Sequence, residues 1–460
     1  MPDNQTIIDA VQAEIETDRD WLIGLTRDMV RIPSVNPKFE PNPAINREAD
    51  VQALLEPILK QDGFRTEQWD ALPGRPNLVG EWAGDESRSL ILCGHIDVVP
   101  VGAMKDWSVD PFGGEITNGR LYGRGAVDMK GGVAACIAAA RAIRKAGITL
   151  QGRLAIHSVV DEEAGGFGAM DAVKKGKLAK AVLVAEPTWG DVLPVEGGLE
   201  WARVTIRGRN AHSALRYNEI YPQRHDKDRL EPGVNAIEIA ARFIAAVRQY
   251  ELDRTRAKSH PLLPLGMNTI NIGVMHGGTG LGEHGLPTVM TNPAIIPDVA
   301  VLDLDMKFLP DENSADYRRD FEAFVHHFAQ TDAWLRDNPP AIQWELGGLH
   351  FPPMNTPVDH PLVRSLMKRK AMVGKAPQAR GFVAVCDAAH YAGAGVDGVI
   401  FGPSGDGFHG SDEYVEVESV VETAKVIAAS VIDWCGIRRG GAAAPSRSGR
   451  ALQASGDGAP

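Results

Sequence analysis

The sequence predicts an α/β protein in which a doubly wound, largely parallel sheet domain is interrupted by a smaller α+β domain. Short apolar runs alternate with helical patterns in the first part of the chain, which is typical of a parallel sheet covered by helices. Near Leu199 the strands change to alternating apolar and polar residues, as in half-exposed antiparallel sheets. The chain has 460 residues, more than one hydrophobic core usually holds.

The main domain is predicted to begin with two helices, the first ending before Pro33 and the second near Gly63. An alanine-rich helix stops at Gly147, because glycine commonly follows the last helical turn. The strands are short runs rich in β-branched residues. In chain order, the elements predicted before residue 199 are helices 18–32 and 45–61, strands 77–82 and 89–94, helix 133–145, strand 153–160, a helix from residue 168 and strand 181–185.

The insert is predicted to span residues 199–347 and to combine alternating strands with two amphipathic helices. Its elements are strand 201–207, helix 235–250, strands 267–274 and 299–308, and helix 316–328. The glycine-rich run Gly277–Gly282 lacks the spacing of a phosphate-binding loop, so we expect a mobile loop there.

The main domain therefore has two parts, residues 1–198 and residues 348–437. The second part is predicted to contain a helix from residue 361, strand 398–401 and helix 419–435. Residues 438–460 are rich in Gly, Ala and Ser and are predicted to be a disordered tail, because this composition cannot bury a core.

The formal net charge of −12 disfavours nonspecific binding to nucleic acid or to an anionic membrane. No stretch approaches the length of a membrane span, and the acidic N-terminus is unlike a secretion signal. The four cysteines are scattered, without the spacing of a zinc finger or a redox motif. We therefore expect a cytoplasmic protein with reduced cysteines that binds neither nucleic acid nor a membrane.

A short apolar run, Leu90–Gly94, is followed by His95 and, two residues later, by Asp97. The run is too short for a typical helix, so we interpret it as a buried strand whose end presents His95. In open α/β sheets, ligands bind beyond the carboxyl ends of the strands. A metal-bound histidine usually donates its second N–H to a carboxylate, which would be the role of Asp97. Taken alone, such a pair is more often part of an ordinary surface turn.

Further polar residues follow other strands or begin the next helix, and they are Asp128, the pair Glu162 and Glu163, Glu186, and His409. Each of the acids alone would be interpreted as a helix cap or a first-turn acid. All of these positions nevertheless converge on one edge of the predicted sheet. Carboxylates gathered in a cleft repel one another and take up protons unless cations hold them, and two divalent ions would do so.

Taken together, these motifs resemble the M20 metallopeptidase family, which includes acetylornithine deacetylase, succinyl-diaminopimelate desuccinylase, carboxypeptidase G2 and aminoacylase-1. The resemblance covers about residues 25–431 and depends on five motifs in order. They are His95-Ile96-Asp97, Gly123-Arg124-Gly125-Ala126-Val127-Asp128-Met129-Lys130-Gly131-Gly132, Asp161-Glu162-Glu163, Glu186-Pro187, and Gly402-Pro403 with His409, Asp412 and Glu413.

The resemblance implies two divalent metal ions about 3.5 to 4 Å apart, bridged by a water. The implied ligands are Asp128 between the two ions, His95 and Glu186 at one ion, and Glu163 and His409 at the other. Glu162 would be the general base, which takes a proton from the bridging water and later gives it to the leaving amine. Zinc is the expected metal, although cobalt or manganese would suit the same ligands. A cis peptide bond after Asp128 is also implied.

By the same resemblance, His212 of the insert reaches the active site of the partner in a homodimer, where it helps to stabilise the oxyanion. A lone loop histidine would otherwise be interpreted as a solvated side chain. Two positions depart from the family pattern. The usual asparagine is missing before Pro297, with Asn292 as the nearest one, and Lys307 stands where many members carry an arginine that binds the substrate carboxylate. Asn292 and Lys307 are therefore the candidate substrate-binding residues, although lysine lacks the bidentate fork of arginine.

The resemblance implies an enzyme, a metal-dependent hydrolase that cleaves the linear amide bond of a small N-acyl amino acid or a related N-acyl compound. One alternative is a dipeptidase or carboxypeptidase with the same metal chemistry, and another is a deacylase of N-formyl or N-acyl amines without an α-carboxylate. The cation at Lys307 favours a substrate with a carboxylate. A catalytically silent binding protein is disfavoured, because all five ligand positions and Glu162 are intact.

Overall fold

The predicted helices are present close to their expected positions, although the helix predicted at 235–250 extends to Ala257. The helices Asn4–Thr17 and Ala388–Gly393 were not among those predicted. A computed structural model describes residues 4–216 and 233–438 of the chain. The α-helices of these residues are α1 (Asn4–Thr17), α2 (Arg19–Val30), α3 (Glu48–Gln61), α4 (Gly131–Lys145), α5 (Phe167–Lys174), α6 (Ala236–Ala257), α7 (Ser314–Gln330), α8 (Pro361–Val373), α9 (Ala388–Gly393) and α10 (Val417–Cys435).

The strands are more numerous than predicted, because short and polar ones give a weak signal in the sequence. They are β1 (Arg65–Leu72), β2 (Arg75–Trp82), β3 (Asp85–His95), β4 (Ile116–Thr117), β5 (Arg120–Tyr122), β6 (Gly152–Val159), β7 (Ala181–Val184), β8 (Val192–Glu196), β9 (Gly198–Arg207), β10 (Ala211–His212), β11 (Ile270–Leu281), β12 (Pro287–Val289), β13 (Ile295–Ile296), β14 (Val299–Phe308), β15 (Ala341–Trp344), β16 (His350–Phe351), β17 (Met354–Asn355), β18 (Ala379–Phe382), β19 (Asp397–Ile400), β20 (Gly405–Asp406) and β21 (Tyr414–Glu416).

A nine-stranded sheet has the order β1-β2-β6-β3-β7-β19-β8-β17, with β18 beside β8. Its centre is parallel, since β3 runs alongside β6 and β7, and β7 alongside β19, in one direction. Antiparallel strands close the sides, as in the pairs β1–β2 and β17–β8. Buried residues of β3, α4 and α10, among them Ile91, Ile137 and Ile427, share the large hydrophobic core of this sheet. The predicted fold class is confirmed.

A second, six-stranded sheet is antiparallel and has the order β12-β11-β14-β9-β15, with β16 beside β9. Helices α6 and α7 contribute Phe243 and Phe321 to a separate hydrophobic core against this sheet. Four short strands, β20-β21-β5-β4, form a further small sheet, and β10 pairs with β13. The division of the chain into domains at residues 198, 347 and 437 stays a prediction.

The glycine-rich run of the insert is part of a strand, so the prediction of a loop there was wrong. Strand β11 extends to Leu281 and includes all the glycines of this run except Gly282. A Cβ atom on Gly277 would lie 2.6 Å from the side chain of Ile237, and one on Gly278 would lie 2.3 Å from the carbonyl oxygen of Val289. Close packing against α6 and β12 therefore explains Gly277 and Gly278, which the sequence pattern alone assigned to a loop.

None of the helices within residues 4–216 and 233–438 combines the length and the apolar composition that crossing a membrane requires. The four cysteines are buried and form no disulfide. The predicted tail falls almost wholly on residues 439–460, which lie outside the described part of the chain.

Candidate active site

Acidic and histidine side chains meet where parallel strands of the main sheet end. Strand β3 ends at His95, and the turn Glu162–Ala164 comes shortly after β6. Glu186 follows β7, while His409 lies in the segment between β20 and β21, beyond the end of β19. Asp128 lies just before α4, and its peptide bond to Met129 is cis, as expected. Neighbouring parallel strands thus deliver side chains from distant parts of the sequence to one edge of the sheet.

Asp128 lies between the two histidines. Its Oδ1 is 3.2 Å from Nε2 of His95, and its Oδ2 is 3.4 Å from Nε2 of His409. Glu186 Oε1 is 3.5 Å from Nε2 of His95, while Glu163 Oε2 is 3.0 Å from Nε2 of His409. The five side chains predicted to bind metal therefore form one cluster, with a glutamate and a histidine on each side of Asp128.

Glu162 lies beside this cluster, with its Oε2 at 3.8 Å from Nε2 of His95. Burial raises the pKa of Glu162 well above its usual range, and neighbouring Glu186 raises it further. Burial likewise raises the pKa of Glu163 and of Glu186 to about 7. A carboxyl group with such a raised pKa is suited to accept and return a proton near neutral pH.

The pKa values of the two histidines are also raised, which favours the charged form of the imidazoles. Hydrogen bonds with Asp128 and Glu163 raise the pKa of His409 to about 10. Burial disfavours the charged form of His95, but Glu186 and Asp128 outweigh it and raise the pKa of His95 well above its usual range. Without cations, the cluster therefore holds protons that divalent ions would displace.

The donor chemistry of the cluster fits two divalent cations. Ligand atoms of His95, Glu162 and Glu186 all lie within 4.8 Å of one another, as do those of His95, Asp128 and Glu163. Imidazole nitrogens and carboxylate oxygens are the donors that zinc, cobalt and manganese accept. Asp128 presents one oxygen to each side, as a residue shared by two ions must.

Asp97 holds the turn that carries the two glutamates. Its Oδ1 accepts a hydrogen bond from the N–H of Glu162 at 3.1 Å, and its Oδ2 accepts one from the N–H of Glu163 at 3.3 Å. The nearest acceptor for Nδ1 of His95 is the main-chain oxygen of Asp97, at 2.9 Å, whereas its carboxylate lies 3.8 Å away. The carboxylate was expected to orient the imidazole, but in this geometry the main chain does so, and the carboxylate positions the turn.

A buried ion network that the sequence analysis did not identify lies behind the same turn. Asp161 has the left-handed backbone conformation, with φ 70°, directly before Glu162. Its carboxylate accepts hydrogen bonds from Asn36 at 3.0 Å and from Arg75 and Lys38 at 2.5 Å each. These partners come from distant parts of the chain, and no short motif in the sequence links them.

Glu413 organises the loop that carries Asp128. One of its carboxylate oxygens accepts hydrogen bonds from the N–H groups of Val127 at 3.1 Å and Asp128 at 3.2 Å. The other binds the guanidinium of Arg124 at 2.6 Å and the N–H of Gly125 at 3.0 Å. The Gly-Arg-Gly motif and the acidic pair near the C-terminus, which are far apart in the sequence, thus form one unit.

A cavity of about 500 Å³ opens in front of the cluster. Most of its walls are apolar or aromatic. Apart from the cluster, the charged residues of the lining are Arg380 and Asp191. They form an ion pair, with Nε of Arg380 at 3.1 Å from Oδ2 of Asp191. The cavity is lined by Asp128, Glu162, Glu163, Glu186, Pro187, Thr188, Trp189, Asp191, Leu193, Leu262, Pro264, Arg380, Gly381, Phe382, Val383, Ala384, Val385, Phe408 and His409.

The predicted residues of the insert lie outside this lining. His212 is exposed on β10, and its Nδ1 accepts a hydrogen bond from the N–H of Ala214 at 3.1 Å. Asn292 is exposed and accepts a hydrogen bond from the N–H of Ala294 at 3.0 Å. Lys307 lines a small neighbouring cavity, with Nζ 3.5 Å from the carbonyl oxygen of Val383. Of these three residues, only Lys307 lies near the walls of the main cavity of its own chain.

Comparison with known proteins agrees with this geometry. A model of the peptidase family M20/M25/M40 matches residues 91–433. The chain is 32% identical over 444 residues to N-formyl-4-amino-5-aminomethyl-2-methylpyrimidine deformylase from Bacillus subtilis, which covers 93% of this chain and 97% of that protein.

Solved structures share the fold at lower identity. One is aminopeptidase PepT from Bacillus cereus, with a TM-score of 0.66 and 20% identity over 90% of this chain and 98% of that one. Another is the YxeP protein of Bacillus subtilis, a dinuclear metal-binding peptidase of the M20 family, with a TM-score of 0.61 and 15% identity over 91% of this chain and 99% of that one.

The family resemblance of the sequence motifs is thereby confirmed. The family match extends over most of the chain, and the deformylase aligns along almost its whole length. The clustered carboxylates and imidazoles are consistent with the dinuclear metal binding of this family. The chain belongs to the peptidase family M20/M25/M40 and is a metal-dependent enzyme that hydrolyses amide bonds.

Proposed function

We propose that this enzyme removes the formyl group from a small heteroaromatic N-formyl amine. The observation that carries the proposal is a cluster of carboxylates and imidazoles, buried except for the exposed His409, beside a cavity whose walls are mostly apolar and aromatic. The relative in Bacillus subtilis is named for deformylation of such a compound and aligns over 97% of its length. Formyl is the smallest acyl group, so most of the cavity is left for the amine.

In this proposal the residues keep the roles that the family resemblance implies. Asp128 would bind both metal ions, and the other four ligands are His95, Glu163, Glu186 and His409. The ions would supply Lewis-acid polarisation of the formyl oxygen and would make the attacking water more acidic. Glu162 would take a proton from that water and deliver it to the leaving nitrogen, a task that suits its buried carboxyl group.

Zinc is the proposed metal. Two imidazoles and three carboxylates form a mixed nitrogen and oxygen ligand set, which zinc accepts but which cobalt and manganese also accept. Metal analysis of the purified protein by mass spectrometry, followed by reactivation of the metal-depleted enzyme with each ion, distinguishes the three. We expect zinc to be bound at about two ions per chain; a different metal at that stoichiometry would contradict the choice of zinc.

An N-acyl amino acid, which the lysine at position 307 favours in the sequence, is the second candidate substrate. Arg380 is already paired with Asp191 at 3.1 Å, and Lys307 lies near the carbonyl oxygen of Val383. Lys307 is thus the cation to test for binding of an α-carboxylate. If the substrate is an amino-acid derivative, Lys307→Met should raise KM strongly and Lys307→Arg should be tolerated; for a formamide of an uncharged amine, Lys307→Met should change KM little.

A substrate panel tests the proposed function directly. The N-formyl, N-acetyl, N-succinyl and N-carbamoyl derivatives of 4-amino-5-aminomethyl-2-methylpyrimidine should be compared with N-acetyl amino acids and dipeptides at equal concentration. We expect the N-formyl derivative to have the highest kcat/KM. A higher kcat/KM for an N-acetyl amino acid or for a dipeptide would replace the proposal with an aminoacylase or a dipeptidase, respectively.

We further propose that the enzyme is a homodimer in the cytoplasm, assembled through the insert. Strand β12 is an edge of the six-stranded sheet, and β11 and the loop after β12 expose large apolar side chains, among them Met275, Leu281 and Met290. Exposed apolar residues on an unpaired sheet edge favour association. His212 would then serve the active site of the partner. The buried thiols without disulfides support a reducing compartment.

A further inference from the structure

We propose that Trp189 and Phe408 form a stacking platform for the aromatic ring of the leaving amine. This inference rests on the proposed function and specifies how the amine is selected. Both side chains line the cavity in front of the ligand cluster. Trp189 follows Glu186 by three residues, and Phe408 directly precedes His409. The platform is therefore built into the two loops that also carry proposed metal ligands.

The two rings face the cavity instead of the protein core. Their centroids are 5.8 Å apart, and their planes are tilted by 59°. Trp189 is 57% exposed and Phe408 is 39% exposed, although aromatic side chains of this size usually bury most of their surface. Open aromatic faces beside a largely buried polar cluster are a recognised arrangement for binding a small ligand.

The backbone keeps Trp189 in this position at some cost. Its φ is 54°, in the left-handed region that bulky side chains rarely adopt. Its indole Nε1–H donates a hydrogen bond to the carbonyl oxygen of Gly405 at 2.9 Å. The hydroxyl of the preceding Thr188 donates to the carbonyl oxygen of Gly402 and accepts from its N–H, at 3.2 and 3.1 Å. Three hydrogen bonds thus tie the Trp189 loop to the segment that leads to Phe408, so the strained conformation is held by its surroundings.

The chemistry of the walls selects a neutral, flat group. Of the described lining residues, Arg380 is the cation outside the ligand cluster, and its charge is balanced by Asp191 at 3.1 Å. A heteroaromatic ring stacked on an aromatic side chain gains roughly 5- to 150-fold in affinity, as nucleobases do on such side chains. A saturated ring of equal size would bury similar area but would lack the π face. The platform should therefore favour aromatic over alicyclic amines.

Binding of the product amine tests the platform without requiring turnover. Calorimetry should compare benzylamine, cyclohexylmethylamine and 4-amino-5-aminomethyl-2-methylpyrimidine as ligands of the metal-loaded protein. For the wild type we expect both aromatic amines to bind about tenfold or more tightly than the alicyclic amine. Trp189→Leu should remove most of this preference, Trp189→Phe should keep much of it because a ring remains, and Phe408→Leu should reduce it independently.

A matched control is Trp201→Leu, since Trp201 is also exposed, at 39%, and donates its Nε1–H to Asp305 at 2.9 Å, but lies outside the cavity lining. It should leave the aromatic preference as in the wild type. Thermal unfolding and metal content verify that each variant is folded and loaded.

The platform is contradicted if the wild type binds the three amines equally or not at all, or if Trp189→Leu and Phe408→Leu both retain the full aromatic preference. These results are separate from those for the proposed function. A wild type that hydrolyses no formamide but shows the Trp189-dependent preference would refute the deformylase and support the platform. A wild type that hydrolyses formamides without this preference would support the deformylase and refute the platform.

Discussion

Glu162 and Glu163 are adjacent in the chain, yet their carboxylates face different groups. Glu163 Oε2 lies 3.0 Å from His409 Nε2, whereas Glu162 Oε2 lies 3.8 Å from His95 Nε2. Because we assign Glu163 to metal binding and Glu162 to proton transfer, Glu163→Gln should lower the tightly bound metal from about two ions per chain towards one. Metal analysis after dialysis measures this. Glu162→Gln is the matched control and should retain both ions; equal metal loss in the two variants would refute the separate roles.

His157 affects stability in acid at a distance from the cluster. Burial lowers its pKa from 6.5 to about 3, and its Nδ1 lies 2.8 Å from the hydroxyl of Tyr391. The folded protein keeps His157 neutral while the unfolded chain takes up a proton below pH 6.5. The free energy of unfolding should therefore fall as the pH drops from 6.5 towards 3, by up to about 1.4 kcal/mol per pH unit from this residue.

His157→Leu should consequently lose less stability between pH 7.5 and pH 5.5 than the wild type does, even if it is less stable at pH 7.5. Denaturant unfolding at the two pH values measures the difference. His326→Leu is the control, because His326 is exposed. Its free energy of unfolding should depend on pH as in the wild type. An unchanged pH dependence in His157→Leu would show that this histidine does not titrate as described.

At the scale of one element, the turn after β6 depends on Arg75. This guanidinium binds both oxygens of Glu48, at 2.6 and 2.7 Å, and Asp161 at 2.5 Å, all in the protein interior. Arg75→Met would leave the buried carboxylate of Glu48 without a cation and Asp161 with Lys38 alone, and breaking a buried ion pair typically costs about 3–5 kcal/mol. It should also lower kcat more than it changes KM, because Asp161 holds the backbone that precedes Glu162.

Arg65→Met is the matched control on the neighbouring strand. Arg65 makes one ion pair with Glu81 at 2.9 Å, and its side chain is 82% exposed, so its loss should cost no more than about 1 kcal/mol. Chemical denaturation and steady-state kinetics measure both variants. Similar losses of stability for the two arginines would contradict a special role for the buried network.

Elements near the site could be predicted from the sequence where one short segment carries the whole signal. The apolar run before His95 and the alanine-rich helix after Asp128 are such segments, and the structure has both. The grouping of Asn36, Arg75 and Asp161 could not be predicted, since it exists only after the main sheet has formed. The strand at the glycine-rich run could not be predicted either, because its Gly277 is explained by packing against α6, which is distant in the sequence.

At the scale of the whole molecule, the proposed role of His212 requires a second chain. It is exposed on β10 and lies outside the cavity lining of its own chain. If it serves the partner, His212→Ala should lower kcat more than it raises KM, because it would act on charge that develops in the transition state. Heterodimers of His212→Ala and Glu162→Gln should regain activity, because one of their two sites has both residues intact.

Light scattering tests whether the chain is a dimer in solution, and differently tagged chains allow the heterodimer to be purified for assay. A monomer in solution, or a pure heterodimer no more active than either parent, would refute the shared site. Leu281→Asp on β11 should weaken the dimer if the exposed strand lies in the interface.

The release of formate from N-formyl-4-amino-5-aminomethyl-2-methylpyrimidine tests the proposed enzyme most directly. The zinc-loaded wild type should release one formate for each amine formed, and Glu162→Gln, with equal metal content, should be slower by roughly 10²- to 10⁴-fold, since general acid–base catalysis typically contributes that much. No formate from the wild type would contradict the proposed function. Formate released at an undiminished rate by Glu162→Gln would contradict the proposed mechanism.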